Sequence, residues 1–322
     1  MKRVMIIDAL NMYFRAYIVD PSISTNGEPI GGIKGFVKIF QKMCREMKPD
    51  QVVICWDGAG GSNKRRAQNK NYKSGRKPIR LNRGVRNMSL DQEMENKIWQ
   101  QTELFGLLNH MPVIQFMFPE VEADDVISAV VQSPVYEGWQ KVIISSDKDF
   151  FQLLGSDDVV LYRPIQKQFL NRIRIIEEYG IHPTNFAMAR AMVGDPSDNL
   201  AGIRGIGLPS VAKRLGFLQE GKSFTFSDIY DHCENAEKKL KIHTNILENK
   251  DVIEDNYKLM QLYSPAISVQ SKEKIRYTLE NADMGFNKTG ITALMYEIGF
   301  GELNWSDLAA TMRRISLENS GN

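Results

Sequence analysis

"EVEADDVISAV", residues 120–130, places Glu122, Asp124 and Asp125 within four positions at the head of an apolar run. Val121, Val126, Ile127, Val130 and Val131 are spaced to give a helix one buried face, and acids in a first helical turn suit the positive end of its dipole. That accounts for one acidic turn. It does not account for "RVMIID" ending in Asp8, "QVVICWD" ending in Asp57 and "KVIISSD" ending in Asp147, nor for Asp149 in "SSDKDF" or Asp195 and Asp198 in "GDPSDN". Carboxylates gathered in one cleft raise one another's pKa values and cost stability unless cations compensate. No Lys or Arg interrupts "EVEADDV" or "GDPSDN", so bound metal ions are the expected compensation. An all-oxygen ligand set, with no convergent Cys and only four scattered His, favours Mg²⁺ or Mn²⁺ over zinc. Carboxylate-held ions roughly 4 Å apart commonly serve phosphodiester cleavage, one activating water and the other steadying the leaving oxygen.

For these acids to meet, the elements carrying them must share an edge. "RVMIID", "QVVICWD", "PVIQFMF" and "KVIISSD" read as short strands, continuously apolar and therefore buried on both faces. "DVVLYRPI" reads as a further strand or an edge. Helical patterns fall between them in "IGGIKGFVKIFQKMCREM" and in "SLDQEMENKIWQQTELFGLLNH", the latter opening with Ser89 and Gln92 at capping-box spacing. The alternation predicts an α/β fold with a mostly parallel central sheet flanked by helices. In such sheets ligands bind beyond the carboxyl ends of the strands, which is where the acids fall. After about residue 180 the pattern turns to helices and loops, so residues 1–185 are expected to form the α/β domain and 186–322 a helical region. Within the latter, about 186–218, "GIRGIG" joins two helical pieces. Gly202, Gly205 and Gly207 would let backbone N–H groups approach a phosphate, with Pro209 opening the next helix. "GFLQEGKS", residues 216–223, matches the P-loop pattern letter for letter, but helical residues precede it where a P-loop requires a strand, so nucleotide binding is not expected there.

Composition, at 43% hydrophobic and 25% charged, excludes a disordered or fibrous chain. The longest apolar runs are too short to cross a bilayer, and the N-terminus, broken by Asp8, does not read as a signal peptide. Cys44, Cys55 and Cys233 form neither a disulfide framework nor a zinc pattern, which suits a reducing cytoplasm. The net charge of +2 conceals a strong asymmetry: from Gly58 to Leu90 there is no acid but ten cations, Lys64, Arg65, Arg66, Lys70, Lys73, Arg76, Lys77, Arg80, Arg83 and Arg86. Such a block repels itself and is not expected to pack tightly without an anionic partner, for which a nucleic acid is the natural candidate.

"IIDALNMYFR", "WDG", "EADDVI", "SSDKDF", "GDPSDN" and "GIRGIG" follow one another in an order and spacing that resembles the phage and bacterial 5′-nucleases of the flap endonuclease superfamily, phage enzymes of the ribonuclease H type among them. The resemblance covers roughly residues 1–220. It implies a PIN-like core and a helix–hairpin–helix, together acting as a two-Mg²⁺ nuclease on 5′ ends, flaps and RNA primers in replication or repair. Residue by residue, Asp8, Asp57, Glu122, Asp124, Asp125, Asp147, Asp149, Asp195 and Asp198 match the family's metal-binding carboxylates. Arg15 resembles the basic residue near the scissile phosphate, and Tyr72 and Lys73 in "NYKSGRKP" resemble the arch, where a basic side chain assists at the phosphate. The arch, about 58–90, would also contribute Lys64, Arg65, Arg66, Lys70, Arg76 and Lys77 to nucleic-acid contact. The resemblance further implies K⁺ at the hairpin carbonyls of "GIRGIG". Where many relatives carry Lys and Thr after the hairpin this chain reads "LPSVAK", leaving Ser210 and Lys213 as the candidate phosphate contacts. A free-standing monomer is expected, without the polymerase domain of some relatives. Its expected partners are DNA with 5′ flaps or ends, RNA–DNA primer hybrids, and replication single-strand-binding or clamp proteins. The alternatives are a metal-dependent ribonuclease of related fold and a catalytically inactive DNA-binding module.

Overall fold

The computed structural model of the chain describes residues 1–85 and 88–319; Arg86, one cation of the basic run, lies outside the described residues. Six strands form one sheet: β1 Arg3–Asp8, β2 Gln51–Trp56, β3 Ile114–Met117, β4 Gln140–Ile144, β5 Val159–Arg163 and β6 Gln168–Leu170, in the order β3-β2-β1-β4-β5-β6. All neighbours are parallel except β5 and β6. β1 sits at the centre, Ile6 lying opposite Val53 on one side and Ile143 on the other. Every residue of β1 and β2 after the first is buried, the consequence of continuous apolar runs covered on both faces. The short antiparallel β6 was not legible in the sequence, since its three residues carry no period.

The helices α1 Ala9–Val19, α2 Gly31–Met47, α3 Asn63–Gln68, α4 Leu90–Leu108 and α5 Ala123–Val131 fill the connections. α4 begins on the expected capping box: Ser89 Oγ accepts from the Gln92 N–H (3.2 Å) and Gln92 Oε1 from the Ser89 N–H (2.9 Å). α1 starts at the residue after β1, leaving no loop between them, so the acid that ends the strand must also cap the helix. Beyond the sheet the chain is helical. α6 Arg172–Tyr179 and α7 Pro183–Val193 lead into a two-residue ladder, β7 Gly194–Asp195 with β8 Leu200–Ala201, and then into α8 Leu208–Arg214. Six further helices, α9 Phe226–Asn235, α10 Lys241–Glu248, α11 Lys250–Met260, α12 Val269–Asn281, α13 Lys288–Ile298 and α14 Trp305–Asn319, wrap back on the sheet half. Asn256 of α11 donates to the Ala191 (3.0 Å) and Ala201 (2.9 Å) carbonyls, and Asp307 of α14 takes an ion pair from Arg45 of α2 (2.9 Å). One apolar core, from Val4 to Ile315, joins the two halves. Among the described residues no helix is long and apolar enough to cross a membrane, and Cys44, Cys55 and Cys233 are free and buried.

Candidate active site

Asp8 closes β1 and caps α1. Its Oδ1 accepts from the Asn11 N–H (3.2 Å), and its Oδ2 accepts from Ser145 Oγ (2.8 Å), just past the end of β4. This second bond spans β1 and β4, where the strand order reverses, the position at which open parallel sheets form their ligand crevice. Asp57, one residue past β2, accepts from the Ala123 N–H at the start of α5 (2.8 Å). On the β4 side, Ser145 Oγ accepts from the Asp147 N–H (3.1 Å) and Asp147 Oδ1 from the Asp149 N–H (2.9 Å), folding "SSDKD" into a tight acidic turn. Strand ends and helix starts thus deliver the acids to one edge.

The electrostatics show how crowded that edge is. Burial, reinforced by the Asp57 charge, pushes the Asp8 carboxyl up to about 7. Burial and then the Asp147 charge raise Asp124 well above the carboxylate range, and crowding by protein atoms raises Asp57 as well, although that residue is exposed at the surface. Asp149 is pushed up to about 7 by burial and then by Asp147. Asp149, Asp195 and Asp198 bring carboxylate oxygens within 4.8 Å of one another. Buried oxygen ligands that resist ionisation for want of positive charge are the donor set a hard divalent cation requires.

Compensation comes in part from cations distant in sequence. Arg190 of α7 pairs with Asp149 (3.1 Å) and with Asp195. Burial disfavours ionised Asp195, yet the Arg190 charge and the Ser197 hydrogen bonds outweigh it and hold its pKa below the usual range. Glu122 accepts from Ser62 Oγ (2.5 Å), Lys73 Nζ (2.7 Å), Arg65 Nη1 (2.9 Å) and the Tyr72 hydroxyl (3.2 Å). Burial again opposes its charge, and Lys73 and Arg65 together overcome that. Asp125 takes both Nη1 (2.7 Å) and Nη2 (3.2 Å) of Arg65, plus the Ala266 N–H (2.9 Å). The absence of a local cation in "EVEADDV" therefore did not mean that only metal neutralises it.

The basic run is correspondingly more ordered than its sequence suggests, because its anionic partners are the protein's own acids. Arg65 pairs with Glu122 and Asp125, Lys73 with Glu122, Arg76 with Asp198, and Arg80 with Glu93 through two bonds (2.7 and 2.9 Å). Two of the arch residues lie away from its exposed face. Arg65 is buried and also donates to the Leu259 carbonyl (2.9 Å), and Tyr72 packs with Leu200, Leu259 and Met260 at 3% exposure. Both belong to the packed base of the arch rather than its exposed face. Lys64, Arg66, Lys70 and Lys77 are exposed. Arg15 is not brought to the acids: about two helical turns beyond Asp8, it lines a groove of about 260 Å³ with Asp20, Lys38, Lys42 and Lys167. The glycine-rich turn 202–207 leads from β8 into α8, so the β7–β8 ladder separates it from α7 in the chain; Gly205 has φ +80°, and Gly202 is so close to the end of α7 that a Cβ would fall 1.9 Å from the Val193 carbonyl oxygen. Ser210 and Lys213 are exposed on α8. The P-loop look-alike follows a helix and begins with a short 3₁₀ turn, Gly216–Gln219, so the rejection of that motif stands. Sequence reasoning passed over Arg190, Ser145 and Ser62; of these only Arg190, five residues before Asp195 and on a helix leading to it, left a trace.

The chain thus combines a mostly parallel sheet of this order with acids gathered at its reversal point and a cationic segment beside them. The model of the family "5′-3′ exonuclease, N-terminal resolvase-like domain" matches residues 3–180, and the chain belongs to that family. It is 27% identical over 281 residues to a 5′-3′ exonuclease of Aquifex aeolicus, covering 86% of this chain and 87% of that one. It is 28% identical over 240 residues to the thermostable DNA polymerase I of Thermus thermophilus, covering 74% of this chain and 26% of that protein; the chain thus spans about a quarter of the length of such polymerase relatives. Its fold is shared by the T5 D15 protein co-crystallised with metal ions, at a TM-score of 0.63 and 18% identity over 92% of this chain and all of that one.

Proposed function

We propose that this chain is a structure-specific 5′→3′ exonuclease and flap endonuclease that hydrolyses DNA, and the RNA of primers, with two Mg²⁺ ions. One observation carries the reading: acids from β1, β2, α5 and β4 meet at the sheet's reversal point with the Lys73 ammonium beside them. Asp8, Asp57, Asp124 and Asp147 would hold one ion, and Asp149, Asp195 and Asp198 the other, Mn²⁺ being an acceptable substitute. The ions supply an activated water and charge for the leaving oxygen when bound.

The chain's own groups do the rest. Lys73 is half-buried, which disfavours its charge, but Asp124 and Glu122 together hold its pKa above the ordinary lysine value, so it meets a phosphate as a cation. The exposed Lys64, Arg66, Lys70 and Lys77 attract the strand without reading its sequence. The Gly202–Gly207 hairpin, with Ser210 and Lys213, grips duplex backbone, and its carbonyls are suited to K⁺. Residues 1–185 carry most of the chemistry, and 186–322 add Asp195 and Asp198 to it and make the duplex contact. The test is cleavage of 5′-labelled flap, nicked-duplex and RNA-primed substrates with Mg²⁺ and with EDTA. Metal-dependent release of short 5′ products is expected, and no cleavage of any substrate under Mg²⁺ overturns the proposal.

A further inference from the structure

Lys73 stands in a backbone conformation that lysine rarely adopts. Its φ is +55°, in the left-handed region, at the third position of the turn Asn71–Ser74 closed by the Ser74 N–H on the Asn71 carbonyl (2.9 Å). A non-glycine residue there is strained and persists only where its surroundings over-determine it. A glycine, as at Gly75 (φ +74°), would be comfortable, so the turn must be held by something other than its own preference.

What holds it is the loop Gly194–Asn199. Asn199 Nδ2 donates to the Asn71 carbonyl (3.1 Å) and to Ser74 Oγ (2.9 Å), embracing Lys73 from both ends of its turn. The Lys73 N–H donates to the Asp198 carbonyl (2.8 Å), and Arg76 Nε to the Ser197 carbonyl (3.2 Å). Asn199 is itself left-handed, at φ +57°, where asparagine is among the few tolerated side chains. The loop thus has two faces. Asp195 and Asp198 turn to Asp149, while Asn199 turns outward to the arch.

We propose that Asn199 is a positioning residue: its carboxamide latches the Asn71–Ser74 turn to the acidic loop and so aims the Lys73 ammonium at the acid edge. The latch rests on the nuclease reading for its purpose but not for its existence. Asn71, Ser74 and Asn199 are all exposed, so the clasp opens without unfolding the core.

The variant of choice is Asn199→Gly, which keeps the left-handed backbone unstrained and removes only the carboxamide. Tryptic cleavage after Lys70, Lys73 and Arg76 should quicken about tenfold, as expected for two lost hydrogen bonds, while the thermal midpoint stays put. On a 5′ flap with Mg²⁺, kcat should fall roughly 10- to 100-fold, the scale of a small misplacement of a reacting group, with KM little changed. Ser74→Ala should show a smaller effect in both assays, and adding it to Asn199→Gly should bring no further loss. Unchanged proteolysis and kcat in Asn199→Gly overturn the latch, and faster proteolysis with unchanged kcat reduces Asn199 to a structural role and overturns the positioning. Failure of the unsubstituted chain to cut a flap overturns the nuclease reading instead, and the proteolysis comparison still decides whether the clasp exists.

Discussion

Arg65 sits in the middle of a run of cations, yet its role is expected to be stability rather than substrate contact. Its guanidinium meets Glu122 Oε2 at 2.9 Å, Asp125 at 2.7 and 3.2 Å and the Leu259 carbonyl at 2.9 Å, and the residue is 8% exposed. In Arg65→Met the side-chain bulk survives, but Asp125 keeps only the Ala266 N–H and Glu122 keeps Ser62, Tyr72 and Lys73. Removing one partner of a buried ion pair leaves uncompensated charge and costs about 3–5 kcal/mol. Arg65→Lys retains the charge without the fork, so its loss should be smaller, roughly 1–3 kcal/mol. The arch is tied through Arg65 to both α5 and α11, so the loss should appear in global urea denaturation. Arg66, exposed next door, serves as the control: Arg66→Ala should leave the urea midpoint alone and lower the salt slope of DNA binding by about one. If Arg65→Met lowers that slope while costing under about 1 kcal/mol, below the bottom of the buried-pair range, then Arg65 is a phosphate contact and the packing assignment is refuted.

Lys73→Ala should cut kcat on a flap by roughly 10²–10³-fold, as losing one group that stabilises developing charge does, with binding affinity little altered; unaltered turnover would remove Lys73 from the chemistry. Asp8 and Asp149 have folded pKa values raised to about 7, above those of an unfolded chain, so the stability they favour is present at acid pH and lost as pH rises through 7. In EDTA, thermal midpoints should therefore fall as pH rises from about 4 to 7 and level off above that, and the rise on adding Mg²⁺ should grow over the same interval. A metal-induced shift independent of pH, followed by scanning fluorimetry, would contradict this. In the hairpin, Gly202→Ala should destabilise more than Gly205→Ala: the first drives a Cβ into the Val193 carbonyl, whereas the second meets open space and carries only the strain of φ +80°. Equal urea midpoints for the two variants would show that the close packing of Gly202 is not what the hairpin depends on.

The sheet was legible because the central strands β1, β2 and β4 are built on apolar runs and reach an acid at their end or within three residues of it, so strand and site share one signal. The α5 segment was legible for a similar reason: Val121, Val126, Ile127, Val130 and Val131 are all buried, as their spacing requires. α1 went unassigned because it begins without a break after β1. The pairing of acids with Arg65, Lys73 and Arg190 was not legible, because each partner lies outside the acidic motif it neutralises. Glu122 and Lys73 are separated by 49 residues and Asp149 and Arg190 by 41, and no local pattern records contacts of that range.

Those long-range pairs sort the acids in a way that motif matching cannot. Glu122 and Asp125 are saturated by Arg65, Lys73 and neighbouring donors, so their charge is already balanced within the protein. Asp149, Asp195 and Asp198 share Arg190 and Arg76 and are partly balanced. Asp8, Asp57 and Asp124 have no ion pair to a side chain among the described residues, and loss of solvation at their carboxyls raises the pKa of all three, even though Asp57 is an exposed residue. Of all these carboxylates, they stand to gain most from added positive charge. Asp8 lies at the reversal point of the sheet, where open parallel sheets bind their ligands, and Asp57 and Asp124 lie on the neighbouring β2 end and α5. The acidic turn that looked like an ordinary helix start is therefore divided: Glu122 and Asp125 fasten the arch to α5, and Asp124, between them in sequence, is left without an ion pair among the described residues.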